Sequence, residues 1–251
     1  MRRLQAGAAL LCAAGAVLLF AAHGAPAQSP SLPAAPADPA LVARGHTLFR
    51  ESCASCHGAD AQGVPHTAPS LRGVGAMAAD FYLRTGRMPL PDPRVQPRRT
   101  RQQLSGATVR AIVAYVGSLG GPPIPVVHPA RGNLAEGQQL FAESCMGCHQ
   151  ALGRGGIVTK AYVPDLLSSS PTDVAEAVRI GPWVMPSFSG QFSAHQLDSL
   201  ARYVASTHHP QDVGGWGIGH IGPIPEGMVA WLLAAAALVL TARLLGERTP
   251  R

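Results

Sequence analysis

Apolar residues fall along this chain in two regimes. Leu4 to Ala22 and Met228 to Leu245 are almost uniformly apolar, whereas the region between them carries short apolar stripes separated by polar and proline-rich segments. Val109, Ile112, Val113 and Val116 form one stripe, and Leu197, Leu200, Ala201 and Val204 form another. Both follow the i, i+3, i+4, i+7 spacing of an amphipathic helix. Ser105 stands where an N-cap belongs ahead of the first, and Ser193 with Gln196 makes a capping box ahead of the second. Two further starts are written at Asp38-Pro39, an N-cap with proline at the first helical position, and at Asn133 with Glu136, which resembles a capping box. Helices are also expected to end at Gly86 and Gly181.

The two uniform runs read differently. Met228 to Leu245 spans 18 residues broken only by Thr241 and Arg243, and as a helix it would extend about 27 Å, enough to cross a bilayer. Pro225 and Glu226 suit its start, and Arg243, Arg248 and Arg251 gather at its far end, which the positive-inside rule assigns to the cytoplasm. Arg243 sits near enough to that end to snorkel. Leu4 to Ala22 follows Arg2 and Arg3 and precedes Ala25-Pro26-Ala27, the pattern of an export signal, cleaved or retained as an anchor. Cys12 lies within it after Leu11 and reads as a small apolar filler. Residues from about Gln28 to Gly227 are thereby expected on the outer face of the membrane.

The middle region is duplicated. Gly45, Leu48, Phe49, Glu51 and Ser52 correspond to Gly137, Leu140, Phe141, Glu143 and Ser144, 92 residues later. Each set leads into a C-x-x-C-H run, Cys53-Ala-Ser-Cys56-His57 and Cys145-Met-Gly-Cys148-His149. That is the attachment signature of c-type haem: the cysteines form thioethers to the porphyrin and the histidine binds the iron. One zinc shared by the two pairs would need a far shorter gap, and a redox-active dithiol would sit beside a strand-helix-strand pattern. Downstream, Pro69 answers Pro164, where a backbone carbonyl can accept the ring N–H of the haem histidine. Met88-Pro89 answers Met185-Pro186, and a thioether on the free side of the iron would raise its potential. Met77 has no counterpart and Met146 is a spacer within the motif. Tyr115 and Tyr203 occupy equivalent places and are expected to pack on Gly45 to Phe49 and Gly137 to Phe141. Gly153-x-Gly155-Gly156 does not follow a strand, which argues against a nucleotide loop.

Charge adds one question. The chain has a formal net charge of +6, but its basic residues lack the aromatic interleaving that stacks bases, so nucleic acid is not an expected partner. Arg84, Arg87, Arg94, Arg98, Arg99 and Arg101 form the one dense basic run, spaced by Pro89, Pro91, Pro93 and Pro97. A solvated face, a docking surface for an acidic partner and a contact with haem propionates are all open for it. His46, His66, His128, His195, His208, His209 and His220 read as surface or structural groups.

In both halves the order Gly/Phe helix, C-x-x-C-H, Pro-x-Leu, Met-Pro and terminal helix with Tyr resembles class I cytochrome c. The whole layout, with the Gly222-Pro-Ile-Pro-Glu-Gly227 entry to the last apolar run, resembles the dihaem cytochrome c subunit of the actinobacterial cytochrome bcc complex. The resemblance implies a mainly α fold of two tandem haem domains with a C-terminal transmembrane helix and an N-terminal signal or anchor. It also implies electron transfer in a menaquinol to cytochrome c reductase, the first haem filled by the Rieske iron-sulfur protein and the second emptied by the terminal oxidase. Cytochrome b is the further expected partner, and no substrate-transforming site is expected on the chain itself. The expected organisation is 1–27 signal or anchor, 28–39 linker, 40–120 and 132–210 cytochrome c domains around a 121–131 linker, 211–227 connector, 228–245 membrane helix and 246–251 cytoplasmic tail. A dihaem subunit of another membrane oxidase or dehydrogenase shares every haem feature. A dihaem peroxidase is disfavoured by methionine at both irons.

Overall fold

A computed structural model describes residues 38–92, 94–158, 160–210, 216–218 and 223–247. The expected export segment and most of the linker after it lie outside the described residues, as do Arg248 and Arg251. The described chain is mainly helical and falls into two similar halves followed by one long helix.

In the first half, α1 (Pro39–Ser52) runs into the short α2 (Ala54–His57), followed by α3 (Gly75–Arg84) and α4 (Gly106–Ser118). Asp38 caps α1 and Ser105 caps α4, both as their side chains predict. The second half repeats the order with α5 (Leu134–Ser144), α6 (Met146–His149), α7 (Pro171–Ile180) and α8 (Ala194–His208). Ser193 and Gln196 close the capping box of α8. Asn133 caps α5 through the Glu136 N–H, but the Glu136 carboxylate turns instead to the Ser199 hydroxyl, which itself accepts from the Asn133 N–H. The box is thus closed through a residue of α8, which ties the start of α5 to its partner helix.

The first and last helices of each half cross at glycine. A Cβ on Gly45 would lie 1.9 Å from the Ala111 carbonyl oxygen, and one on Gly137 would lie 2.0 Å from that of Ser199. No larger residue permits this approach. Tyr115 stacks at 5.2 Å from Phe49 and Tyr203 at 5.1 Å from Phe141, as the repeat predicts. The predicted apolar stripes of α4 and α8 are all buried. They face α1 and α5 respectively.

The two expected glycine stops are present: α3 ends at Arg84, with Thr85 as its cap and Gly86 next in the left-handed conformation, and α7 ends at Ile180 with the left-handed Gly181 as its cap. Two features depart from the expectations. Residues Gly156–Val158 and Ala161–Val163 form an antiparallel hairpin, β1 and β2, with Gly156 opposite Val163. The glycine cluster after His149 therefore opens a hairpin, where the first half has a single bridge between Val64 and Ala68. The last helix, α9, runs Pro223–Glu247, longer at both ends than the expected 228–245.

Residues 121–131 are more than a spacer. Gly121 lies against Gly73 and Gly75, the Pro122 carbonyl accepts from the Met77 N–H, and the His128 N–H donates to Asp198 on α8. Each end of the segment is pinned to a different half.

The basic run is where the sequence left three readings open, and the fold adds another. Arg84, at the end of α3, pairs with Asp80 of its own helix and with Asp173 and Glu176 of α7. Arg99 reaches Asp173 at 3.2 Å and the Ser168 carbonyl at 2.8 Å. Gln96 exchanges two hydrogen bonds with the Tyr162 backbone, and Arg98 lies over the Tyr162 ring. Much of the run therefore clamps one half to the other. Burial pulls the Asp173 carboxyl upward, but the Ser170 N–H and the guanidiniums of Arg84 and Arg99 outweigh it and hold it below the usual range. Glu176 is fully buried, and that burial, with the neighbouring Asp80 carboxylate, pushes it up to about 9.

Two outcomes follow for the holoprotein in detergent. Gly45→Ala and Gly137→Ala each force the paired helices apart and should destabilise by about 1–3 kcal/mol, as overpacking does, read as a fall in thermal midpoint. Glu176 binds its proton more tightly folded than unfolded, so its contribution is complete below about 4.5 and is lost as pH rises through about 9. Thermal midpoints should fall for the native protein between those values and fall less for Glu176→Gln.

Candidate functional site

Each C-x-x-C-H run straddles a helix junction. The Cys53 N–H and the Cys145 N–H bond to the Phe49 and Phe141 carbonyls, so each first cysteine closes the long helix and caps the short one. One turn further on come the second cysteine and the histidine. None of these four cysteines is paired in a disulfide. Burial, then the neighbouring cysteine, pushes Cys53 and Cys145 up to about 11.

The histidines are held as the repeat predicts. His57 Nδ1 lies 2.9 Å from the Pro69 carbonyl oxygen and His149 Nδ1 lies 3.2 Å from that of Pro164. With Nδ1 donating, Nε2 is left as the acceptor nitrogen able to bind a metal. His149 is buried, which lowers its pKa, while its bond to Pro164 works the other way. Burial thus favours the neutral imidazole, the form that ligates iron.

His149 and Met185 line one cleft, with Cys145, Pro164 and an apolar wall of Phe141, Leu166, Val174, Val178, Leu200 and Val204. Met185 is placed by its N–H on the Pro182 carbonyl, in the turn that follows α7. In the first half, Met88 packs on the core formed by Phe49, Ile112 and Val116, the same core that Cys53, Ala54 and Leu71 border. Its N–H bonds to the Tyr82 carbonyl. Met77 is buried within α3 and Met146 is exposed within α6, away from the positions expected of ligands.

This setting fits a covalent haem. It offers thiols one helical turn apart, an oriented neutral imidazole, an apolar slot and a thioether in the same cleft. Three residues of the first half, Phe81, Arg87 and Arg99, line the cleft of the second. The sequence holds an acidic pair, Asp173 and Glu176, three apart on one helix, but nothing in it says that this pair lies opposite the basic run. Three of the other described histidines make structural contacts. His46 stacks on Tyr115, His195 pairs with Glu136 and His208 bonds the Leu166 carbonyl.

After the second half comes α9. Its 24-residue stretch Ile224–Glu247 is long and apolar enough to cross a membrane, and none of it is buried against the rest of the chain. This matches the expected anchor.

Residues 42–120 match the family model for cytochrome c, and residues 132–204 match that for cytochrome c oxidase, cbb3-type, subunit III. The cytochrome bc1 complex cytochrome c subunit of Mycobacterium tuberculosis is 37% identical, across 99% of this chain and 92% of its own length. The corresponding subunit of Corynebacterium diphtheriae is 35% identical across 84% and 82%. A cbb3-type cytochrome c oxidase subunit FixP from Bradyrhizobium diazoefficiens is 27% identical across 67% and 63%. With near-complete coverage at that identity, and with two cytochrome c domains that imply covalently bound haem c, the chain belongs to the family of cytochrome bc1 complex cytochrome c subunits and serves in electron transfer.

Proposed function

We propose that the chain carries two covalent haems, one per half, and acts as the electron relay of a membrane quinol to cytochrome c reductase. The observation that carries this is the repeated arrangement of a C-x-x-C-H helix whose histidine Nδ1 rests on a proline carbonyl, at 2.9 Å for His57 and 3.2 Å for His149. The group to be held is haem c, which supplies reversible one-electron chemistry at iron. Cys53 and Cys56 would tether the first and Cys145 and Cys148 the second. His57 and His149 would ligate from one side, Met88 and Met185 from the other. The proposed haem units span 40–120 and 132–210, and both matched family segments lie within those bounds.

The residues around these ligands set the conditions for electron transfer. The Pro69 and Pro164 carbonyls orient the imidazoles and raise their basicity. The apolar wall of the second cleft keeps water from the ligands, and thioether ligation favours the reduced state. The ion pairs between α3 and α7 and the pinned 121–131 segment limit how far the halves separate, which keeps a transfer step between them short. In the proposed assembly the partners are cytochrome b and the Rieske protein on the input side and the terminal oxidase on the output side. The haem halves would stand on the outer face with α9 in the bilayer and its arginine-bearing end in the cytoplasm. The likeness of the second half to a cbb3 oxidase subunit supports one competing assignment, to an oxidase. Identification of the subunits that co-purify with the chain decides between them.

Met88→Ala and Met185→Ala should each lower one of two haem midpoints by on the order of 0.1 V, since axial ligands set potentials over a wide range. Covalent haem should remain in both variants, checked by intact mass. Redox titration with both midpoints unmoved would remove the methionines from the ligand set.

A further inference from the structure

The second cleft contains a cation that its own half does not supply. Arg87 follows α3 in the first half and lines the cleft that holds His149 and Met185. It is 8% exposed, and its Nη1 has no hydrogen-bond partner among the described residues. Its guanidinium lies 4.6 Å from the centre of the Phe81 ring, which fixes the group but leaves the donor unmet. Arg99 lines the same cleft, so two like charges face one apolar slot. Of the two carboxylates that line the cleft, Asp173 is already engaged by Arg84, Arg99 and the Ser170 N–H, and Asp165 accepts from the Leu167 N–H. A buried guanidinium with a free donor is costly unless an anion meets it.

Taking the haem reading above as its basis, we propose that Arg87 binds a propionate carboxylate of the second haem, so that a residue of the first half completes the cofactor site of the other. The planar guanidinium suits a carboxylate, and its charge-assisted hydrogen bond would be stronger than a neutral one. Arg99, held by Asp173 and the Ser168 carbonyl, lends a second positive charge at the same edge. Because Met88 is the next residue, the same short segment touches the ligand sphere of one haem and the propionate edge of the other. The clamp between α3 and α7 acquires a function from this contact. Holding the halves together also holds the second haem's potential up, because a positive charge beside the porphyrin disfavours the ferric state.

The test uses the full-length holoprotein in detergent. Met88→Ala and Met185→Ala first assign the two midpoints, and Arg87→Gln and Arg87→Lys are then titrated against them. Arg87→Gln should shift the reduction equilibrium of the Met185 haem about tenfold toward the ferric form, close to 59 mV for one electron. Arg87→Lys should recover most of that shift by restoring the charge. The resonance Raman propionate-bending band of the same haem should move in Arg87→Gln. An unchanged Met185-haem midpoint and propionate band, or a change confined to the Met88 haem, would overturn the proposal while leaving the dihaem reading intact. Absence of a second covalent haem by mass, or of any effect of Met185→Ala, would instead overturn the reading on which it rests.

Discussion

The close crossing of first on last helix, repeated in each half, is the constraint from which everything else hangs. At Gly45 against Ala111 and at Gly137 against Ser199 the backbones meet with no side chain between them. The crossings place α1 and α5, whose last residues lead directly into Cys53 and Cys145. In the second half, Leu200 and Val204 of the α8 stripe also line the cleft of His149 and Met185. Each half has only about 80 residues, a size at which apolar burial alone is marginal. The second half shows the consequence: its buried cluster holds only Phe141, Leu200 and Val204, while much of the rest of its inner face lines the cleft of His149 and Met185. A porphyrin is a large apolar plate, and it completes such a core as well as supplying the chemistry.

Duplication supplied two similar units, and their differences supply the connection between them. The basic segment 84–101 of the first half and the acidic helix α7 of the second have become a matched pair, with Arg84 and Arg99 converging on Asp173. Ion pairs of this kind add modest net stability, since desolvation offsets attraction, but their geometry is specific. What they specify is the placement of Arg87 and Arg99 beside the second cleft. The Glu136 carboxylate, bound to Ser199 instead of its own cap, serves the same end within one half by fixing the crossing angle of α5 on α8.

The pieces that were legible in the sequence are the ones governed by local rules. Caps at Asp38, Ser105 and Ser193, the stripes of α4 and α8 and the helical C-x-x-C-H turns depend on residues a few positions apart, and these take the predicted local form. Less legible were the features set by distant partners. The hairpin 156–163 formed within what looked like a glycine loop, and the capping box at Asn133 was rerouted through α8. The basic run admitted several readings, because charge spacing along a chain says nothing about which surface will lie opposite.

By itself the sequence determined the haem-attachment chemistry, the twofold repeat, the candidate axial ligands and a C-terminal helix apolar enough for a membrane. Each follows from residue type at short spacing, where covalent geometry leaves few alternatives. Only the tertiary structure decided that segment 84–101 turns inward as a clamp, that residues 121–131 are pinned at both ends, and that Arg87 lies at the cofactor cleft of the other half. Those outcomes depend on contacts between residues from 45 to 92 positions apart, and the packing of two folded units selects them.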